Sequence, residues 1–316
     1  MKIRTWMAAI GLALSSSALL AQNISFGIIA TDSASAQRER WDPFFRDMEK
    51  KTGLKVQAFY APDYAGVIEA MRFNKIQVAW YGNKAAMEAV DRANGEVFAQ
   101  LMYADGSFGY HALLITHKDS PHKTLDEVLA NAKNLNFGIG DPNSTSGFLV
   151  PTYYVFAQRK LEPRTTFKTV RNASHGANIQ AVLAKQVDVA TNNTEDMGKL
   201  ETNRPELFSQ LRVVWKSPLI PSDPFVWRKD LDPAVKARLS SFVLNYAKSD
   251  EAEKTILKNI YNYGGFRPSN NDQLIPIRQL ELFKDRIKAE TDDKLSPAER
   301  SKLLAEIDQK LAALGK

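Results

Sequence analysis

The stretch Gly140-Asp141-Pro142-Asn143-Ser144-Thr145-Ser146-Gly147 sets three hydroxyls in a row, after an apolar strand pattern and before a helical one. Hydroxyls beside the free backbone N–H groups at the positive end of a helix suit an oxyanion. A single serine or threonine would serve an ordinary cap, so three of them followed by a glycine favour anion binding. His175, in Asn172-Ala173-Ser174-His175-Gly176, precedes another helical pattern; an imidazole there either donates to an anion or serves the fold. Two acids stand in comparable loops: Glu195 in Thr191-Asn192-Asn193-Thr194-Glu195, and Asp223 in Pro221-Ser222-Asp223-Pro224. Acids close to an anion site repel a bare anion, whereas a zwitterion would offer them an ammonium. Tyr64, Trp80, Tyr81 and Tyr110 are either pocket wall and phenol donors or core packing. His111, His117 and His122 have no carboxylate or cysteine at metal-ligand spacing, so no metal site is expected.

These loops must be carried by something, and an internal repeat says what. Asn23-Ile24-Ser25-Phe26-Gly27-Ile28 recurs as Asn134-Leu135-Asn136-Phe137-Gly138-Ile139, an offset of 111 residues. At that offset Ile68-Glu69-Ala70-Met71 matches Ile179-Gln180-Ala181-Val182, and Ile76-Gln77-Val78-Ala79 matches Val187-Asp188-Val189-Ala190. Several matches in one register indicate a duplicated α/β lobe, each with a mostly parallel sheet flanked by helices. Ligands bind beyond the carboxyl ends of such strands, which nominates Thr31-Asp32-Ser33, Tyr81-Gly82-Asn83, 141–147 and 191–195.

Local signals predict a helix opening at Asp42-Pro43 and ending at Gly53, another from Asp63 to Phe73, and helices over 125–133 and 148–160. Pro151 implies a kink or tight first turn in the last of these. The β-rich segments 110–116 and 211–215 read as the two hinge crossings. Helices follow over 231–246 and 251–261, and the tail opens its last helix with Ser296-Pro297-Ala298-Glu299, a capping box. The expected division is a first lobe over 22–114 plus 221–280, a second over 115–220, and a helical tail over 281–316.

With 316 residues, 44% of them hydrophobic, the chain can fill two medium cores. Lys2 and Arg4, an apolar run from Trp6 to Leu14, and the small residues up to Ala21 have the order of a secretory signal peptide over 1–21. No cysteine occurs, so the exported protein is expected free rather than membrane-anchored by a thiol-linked lipid. The net charge of +6 is spread among acids rather than gathered in runs, which speaks against nucleic acid as a partner.

The chain resembles the phosphonate-binding proteins of bacterial phosphonate ABC importers from about Ile24 to about Phe283. The stretches that carry the likeness are FYAPDYAGVIEAMRFNKIQVAWYGNKAAMEAVDRANG from Phe59, GDPNSTSGFLVP from Gly140, VDVATNNTE from Val187 and VVWKSPLIPSDPFVWR from Val213. The resemblance implies a two-lobed type II periplasmic binding fold that closes on a small phosphonate, needs no cofactor, and delivers its ligand to the importer's membrane subunits. By that likeness Ser144, Thr145 and Ser146 hold the phosphonate oxygens, and Tyr64, Tyr110 and His175 are further donors. Glu195 and Asp223 match carboxylates that hold the amino group of 2-aminoethylphosphonate. The family pattern departs at Tyr103 and in the tail, which in relatives bears on a possible homodimer.

Two other classes compete with a binding protein. A hydrolase could use one of the hydroxyls 144–146, His175 and Asp223 as nucleophile, base and orienting acid, but the chain lacks a Gly-x-Ser-x-Gly elbow and Glu195 would be idle. An adaptor working through its tail would leave the polar cleft loops without purpose. Within the binding class the alternative ligand is another oxyanion: phosphite, phosphate or a sulfonate.

Overall fold

The computed structural model of the chain describes residues 22–315; the expected signal peptide lies outside them. Along the chain the strands are β1 (Asn23–Ile28), β2 (Lys55–Tyr60), β3 (Val78–Trp80), β4 (Gly95–Tyr103), β5 (Gly109–Tyr110), β6 (Ala112–His117), β7 (Asn136–Ile139), β8 (Thr169–Asn172), β9 (Val189–Asn193), β10 (Leu211–Lys216), β11 (Ile220–Pro221), β12 (Pro224–Arg228) and β13 (Tyr263–Pro268). They form a six-stranded sheet in the order β13-β4-β12-β3-β1-β2, a five-stranded sheet in the order β10-β6-β9-β7-β8, and a two-stranded ladder of β11 with β5. Helices flank both sheets, so the chain is a two-lobed α/β protein.

The duplication is visible in the fold. Strand β1 runs parallel to β2 and β3, and β7 runs parallel to β8 and β9. Helix Tyr64–Arg72 corresponds to His175–Leu183, and helix Asn83–Arg92 to Thr194–Asn203, each at the offset found in the sequence. The sheets are mixed, however, rather than mostly parallel. Strand β12 is antiparallel to β3, and β6 to β9. These two strands arrive from the interlobe crossing instead of through a βαβ unit, and only the helical crossover forces neighbours to be parallel.

The hinge is narrower than the β-rich segments suggested. Strands β6 and β10 pair with each other inside the second sheet, Leu211 opposite His117, while the crossing itself is the short pairing of Ile220 with Tyr110 and Pro221 with Gly109. The first long helix also starts earlier than expected. It spans Ala34–Thr52, opened by the Ser33 hydroxyl accepting from the Ala36 N–H, and runs through Pro43. Its buried face of Gln37, Arg40, Trp41, Phe44, Phe45 and Met48 supplies the reason. Spacings of three and four carry one apolar stripe across the proline, and each large side chain buried is worth about 1.5–3 kcal/mol.

The helix after the hydroxyl loop is irregular. Residues Thr145–Leu149 and Thr152–Phe156 form wide π turns, with the Leu149 N–H reaching back to the Ser144 carbonyl at 3.1 Å. Pro151 sits between the two turns at φ −65°, where the widened ladder absorbs its missing N–H. In the tail, helix Ile275–Thr291 packs against helix Pro297–Leu314, and the Ser296–Glu299 capping box is formed.

Candidate functional site

Strand β7 delivers the chain to Gly140, whose N–H donates to the Gly147 carbonyl at 2.9 Å. A side chain at Gly140 would put its first carbon 2.6 Å from the Gly147 Cα, so the loop closes this tightly only around glycine. Ser144 caps the turn, its hydroxyl accepting from the Gly147 N–H at 3.0 Å. Thr145 Oγ1 accepts the Lys84 N–H at 2.8 Å from the first lobe, and Ser146 Oγ accepts from Asn193 Nδ2 at 3.3 Å. His175 Nε2 lies 3.4 Å from the Ser144 hydroxyl and 3.5 Å from that of Ser146. Burial lowers the pKa of this imidazole, with the field of Asp196 acting in the other direction, so the ring is neutral at pH 7 and offers one N–H.

Tyr64 is the first residue of its helix, as His175 is of the equivalent one, and its backbone N–H donates across the lobes to Asp141 Oδ2 at 3.2 Å. The repeat therefore aims two matched helix starts at the same space. Burial holds the Tyr64 phenol well above its usual pKa, as it does that of Tyr110, so both remain protonated donors.

Glu195 occupies the first turn of helix Thr194–Asn203, opposite the hydroxyl loop in the chain's second lobe. The phenols of Tyr103 and Tyr263 donate to its Oε1 at 2.6 and 3.0 Å. Burial pushes its carboxyl up to about 7, against the pull of the two phenols. Asp223 immediately precedes β12, and Tyr110 Oη donates to its Oδ1 at 3.2 Å. Burial, reinforced by Glu195, holds Asp223 well above the usual carboxylate range.

The eight nominated residues Tyr64, Tyr110, Ser144, Thr145, Ser146, His175, Glu195 and Asp223 are all buried and line one cavity between the lobes. Thr31, Trp80, Asn193, Asp196 and Tyr261 line it too. Of these, Thr31 and Asn193 lay in loops nominated from the repeat. Tyr81 turns away, its hydroxyl donating to the Val67 carbonyl at 2.9 Å in the core. His111 is engaged with the Ser217 carbonyl at 2.8 Å and His117 stands beside Asp119, both away from the cavity. Among the described residues no group of His, Cys, Asp or Glu is arranged to hold a metal ion.

A serine hydrolase relay is not assembled. His175 Nδ1 is buried and makes no hydrogen bond among the described residues, while Asp223, the acid that would have to orient it, is bonded to Tyr110 instead. What the cavity offers is neutral donors and buried carboxylates in one space, supplied by elements of both lobes.

A family model described as the periplasmic substrate-binding protein of a phosphonate ABC transporter matches residues 26–274. The chain belongs to this family. It is 53% identical over 288 residues to the phosphonates-binding periplasmic protein of Escherichia coli K12, covering 91% of this chain and 84% of that protein. Among solved structures, a binding protein component of an ABC phosphonate transporter from Pseudomonas aeruginosa is 51% identical, with a TM-score of 0.91 over 93% of this chain and 97% of that one. A Prochlorococcus marinus protein solved with methylphosphonate shares the fold at 22% identity and a TM-score of 0.74, covering 82% of this chain and 97% of that one. The phosphonate-binding protein described here is thus a periplasmic component of an ABC transporter that carries solute to it rather than an enzyme.

Proposed function

We propose that the solute is a short phosphonate with a cationic amine, 2-aminoethylphosphonate, and that the eight cavity residues divide its recognition between them. The observation that carries this reading is the pair of buried carboxylates, Glu195 and Asp223, in the same cavity as the hydroxyl loop. Ser144, Thr145, Ser146, His175 and Tyr64 hold the phosphonate oxygens. Glu195 and Asp223 take the ammonium, and the Tyr110 hydroxyl is a further donor to the phosphonate. A phosphite, phosphate or sulfonate would leave both carboxylates buried beside added negative charge, and hydrogen bonds to charged groups are worth roughly 1.5–3 kcal/mol each when they are made.

Ligand that bridges the lobes favours the closed arrangement, because only there are both sets of contacts made, and the importer's membrane subunits then read the closed surface. The protein works free in the periplasm in this reading, and pairing of two copies through the tail helices belongs to it as well. Sedimentation of the processed protein tests the pairing. The ligand assignment is tested by calorimetric titration with 2-aminoethylphosphonate, ethylphosphonate, phosphate and phosphite. Tight binding of the first that weakens sharply in the second is expected; preference for phosphate or phosphite would overturn the roles of the two acids.

A further inference from the structure

Tyr103 and Tyr263 do not line the cavity, yet both reach Glu195. Pairing of β13 with β4 sets Tyr263 opposite Tyr103, and the rings lie 5.6 Å apart. Residues opposite one another in a ladder share a face, so the first lobe presents two phenols side by side to the second. Both donate to one oxygen, Oε1. A carboxylate oxygen has two lone-pair sites, so this pair fills Oε1 and leaves Oε2 for something else.

We infer that Tyr103 and Tyr263 are positioning residues for ammonium recognition, favouring the ionised Glu195 carboxylate and holding it with Oε2 turned to the ligand. The inference rests on the reading of Glu195 as an ammonium acceptor. Phenol donors favour the ionised carboxylate, while burial opposes it. The other charged or titratable groups around Glu195 supply no substitute. Asp196 and Asp223 repel a second negative charge, Tyr110 is bonded to Asp223, Lys199 turns to Asp32 at the cleft mouth, and Glu201 and Lys258 line an outer crevice that Glu195 also borders. Because the phenols belong to one lobe and the carboxylate to the other, the clamp exists only when the lobes meet.

The test compares wild type, Tyr103→Phe, Tyr263→Phe and Glu195→Gln in titrations with 2-aminoethylphosphonate and ethylphosphonate across neutral pH. Phenylalanine keeps each ring, and ethylphosphonate binding reports that the variants fold. The ammonium lowers the phosphonate titration of the amine-bearing ligand below that of ethylphosphonate, but each ligand titrates alike with every variant, so this difference cancels in the comparison with wild type. Each Phe variant should lose about tenfold more affinity for the amine-bearing ligand than for ethylphosphonate. The pH at which that preference is half lost should move upward by about one unit. Equal losses for the two ligands, or an unmoved midpoint, overturn the inference and leave the phenols a role in closure alone. If Glu195→Gln keeps the preference for the amine, the ammonium reading itself fails; if it abolishes the preference while the Phe variants do not shift the midpoint, only the tyrosine inference fails.

Discussion

Burial pushes the Glu195 carboxyl up to about 7 and holds Asp223 well above the usual carboxylate range, so on the proposed reading an incoming ammonium displaces protons from the ligand-free cavity. A cation beside a carboxylate lowers its pKa, so 2-aminoethylphosphonate should release protons on binding and bind more tightly as pH rises through about 7. Calorimetry in buffers of different ionisation enthalpy should count on the order of one proton released by the amine-bearing ligand and fewer by ethylphosphonate. The stability of the free protein runs the other way. Glu195 has a folded pKa of about 7 against an ordinary 4.5, so its contribution is complete below the lower value and disappears as pH rises through the higher. The melting temperature of wild type should therefore fall between about pH 5 and pH 8, and Glu195→Gln should flatten that fall. Ser144→Ala separates the ends of the site. It removes a hydroxyl from the anion loop and should weaken both phosphonates alike, by about tenfold, in the same titrations.

The elements were legible to the extent that their signals were local. The repeat exposed both lobes because equivalent helices and strands keep one offset, and that offset also equates Tyr64 with His175, a correspondence readable from the aligned sequence. Site loops were legible because polar residues follow apolar strands. Tyr103 and Tyr263 were not, since the pairing of β4 with β13 joins segments far apart in the chain and leaves no trace in either. Pro43 read as a helix start because proline favours the first turn, but the aromatic stripe on both sides of it decided otherwise. No residue pattern announces the π turns after Ser144, where backbone hydrogen bonds widen by one residue. Their setting does make a prediction. Gly140 stands against the Gly147 backbone, which cannot yield as a side chain can. Gly140→Ala should cost about 1–3 kcal/mol in urea unfolding and weaken every phosphonate, whereas relief of the contact without loss would show the loop to be loosely held.

At the scale of the molecule, the lobes are joined both at the cleft and behind it. Across the cleft the Gly176 N–H donates to the Thr31 carbonyl at 3.1 Å, Lys84 to Thr145, Tyr64 to Asp141, and Lys199 Nζ approaches Asp32 Oδ2 at 3.6 Å. Behind it, helix Ile275–Thr291 straddles the hinge. Its Ile277 and Leu280 pack with Tyr110 and Ile220 of the crossing and with Leu149 and Val150 of the second lobe, while Arg278 pairs with Asp91 and Glu281 with Lys84 in the first. Any opening motion has to break the first set and slide the second, so the balance between open and closed is set partly by contacts that never touch ligand. Asp32 with Lys199 tests this most cleanly, because it spans the lobes at the mouth of the cleft rather than in the cavity. Asp32 is also held by Arg40 within its own lobe, so Lys199→Met, which keeps the aliphatic stem, removes the interlobe contact and leaves that pairing in place. A partly exposed pair contributes up to about 1 kcal/mol, and a ligand that binds only the closed form feels that cost whatever its chemistry. Lys199→Met should therefore weaken 2-aminoethylphosphonate and ethylphosphonate by the same factor, about threefold to fivefold, and enlarge the radius of gyration of the ligand-free protein in solution scattering. A loss confined to the amine-bearing ligand would instead place Lys199 in the recognition of the solute and take the cleft-mouth pair out of the closure equilibrium.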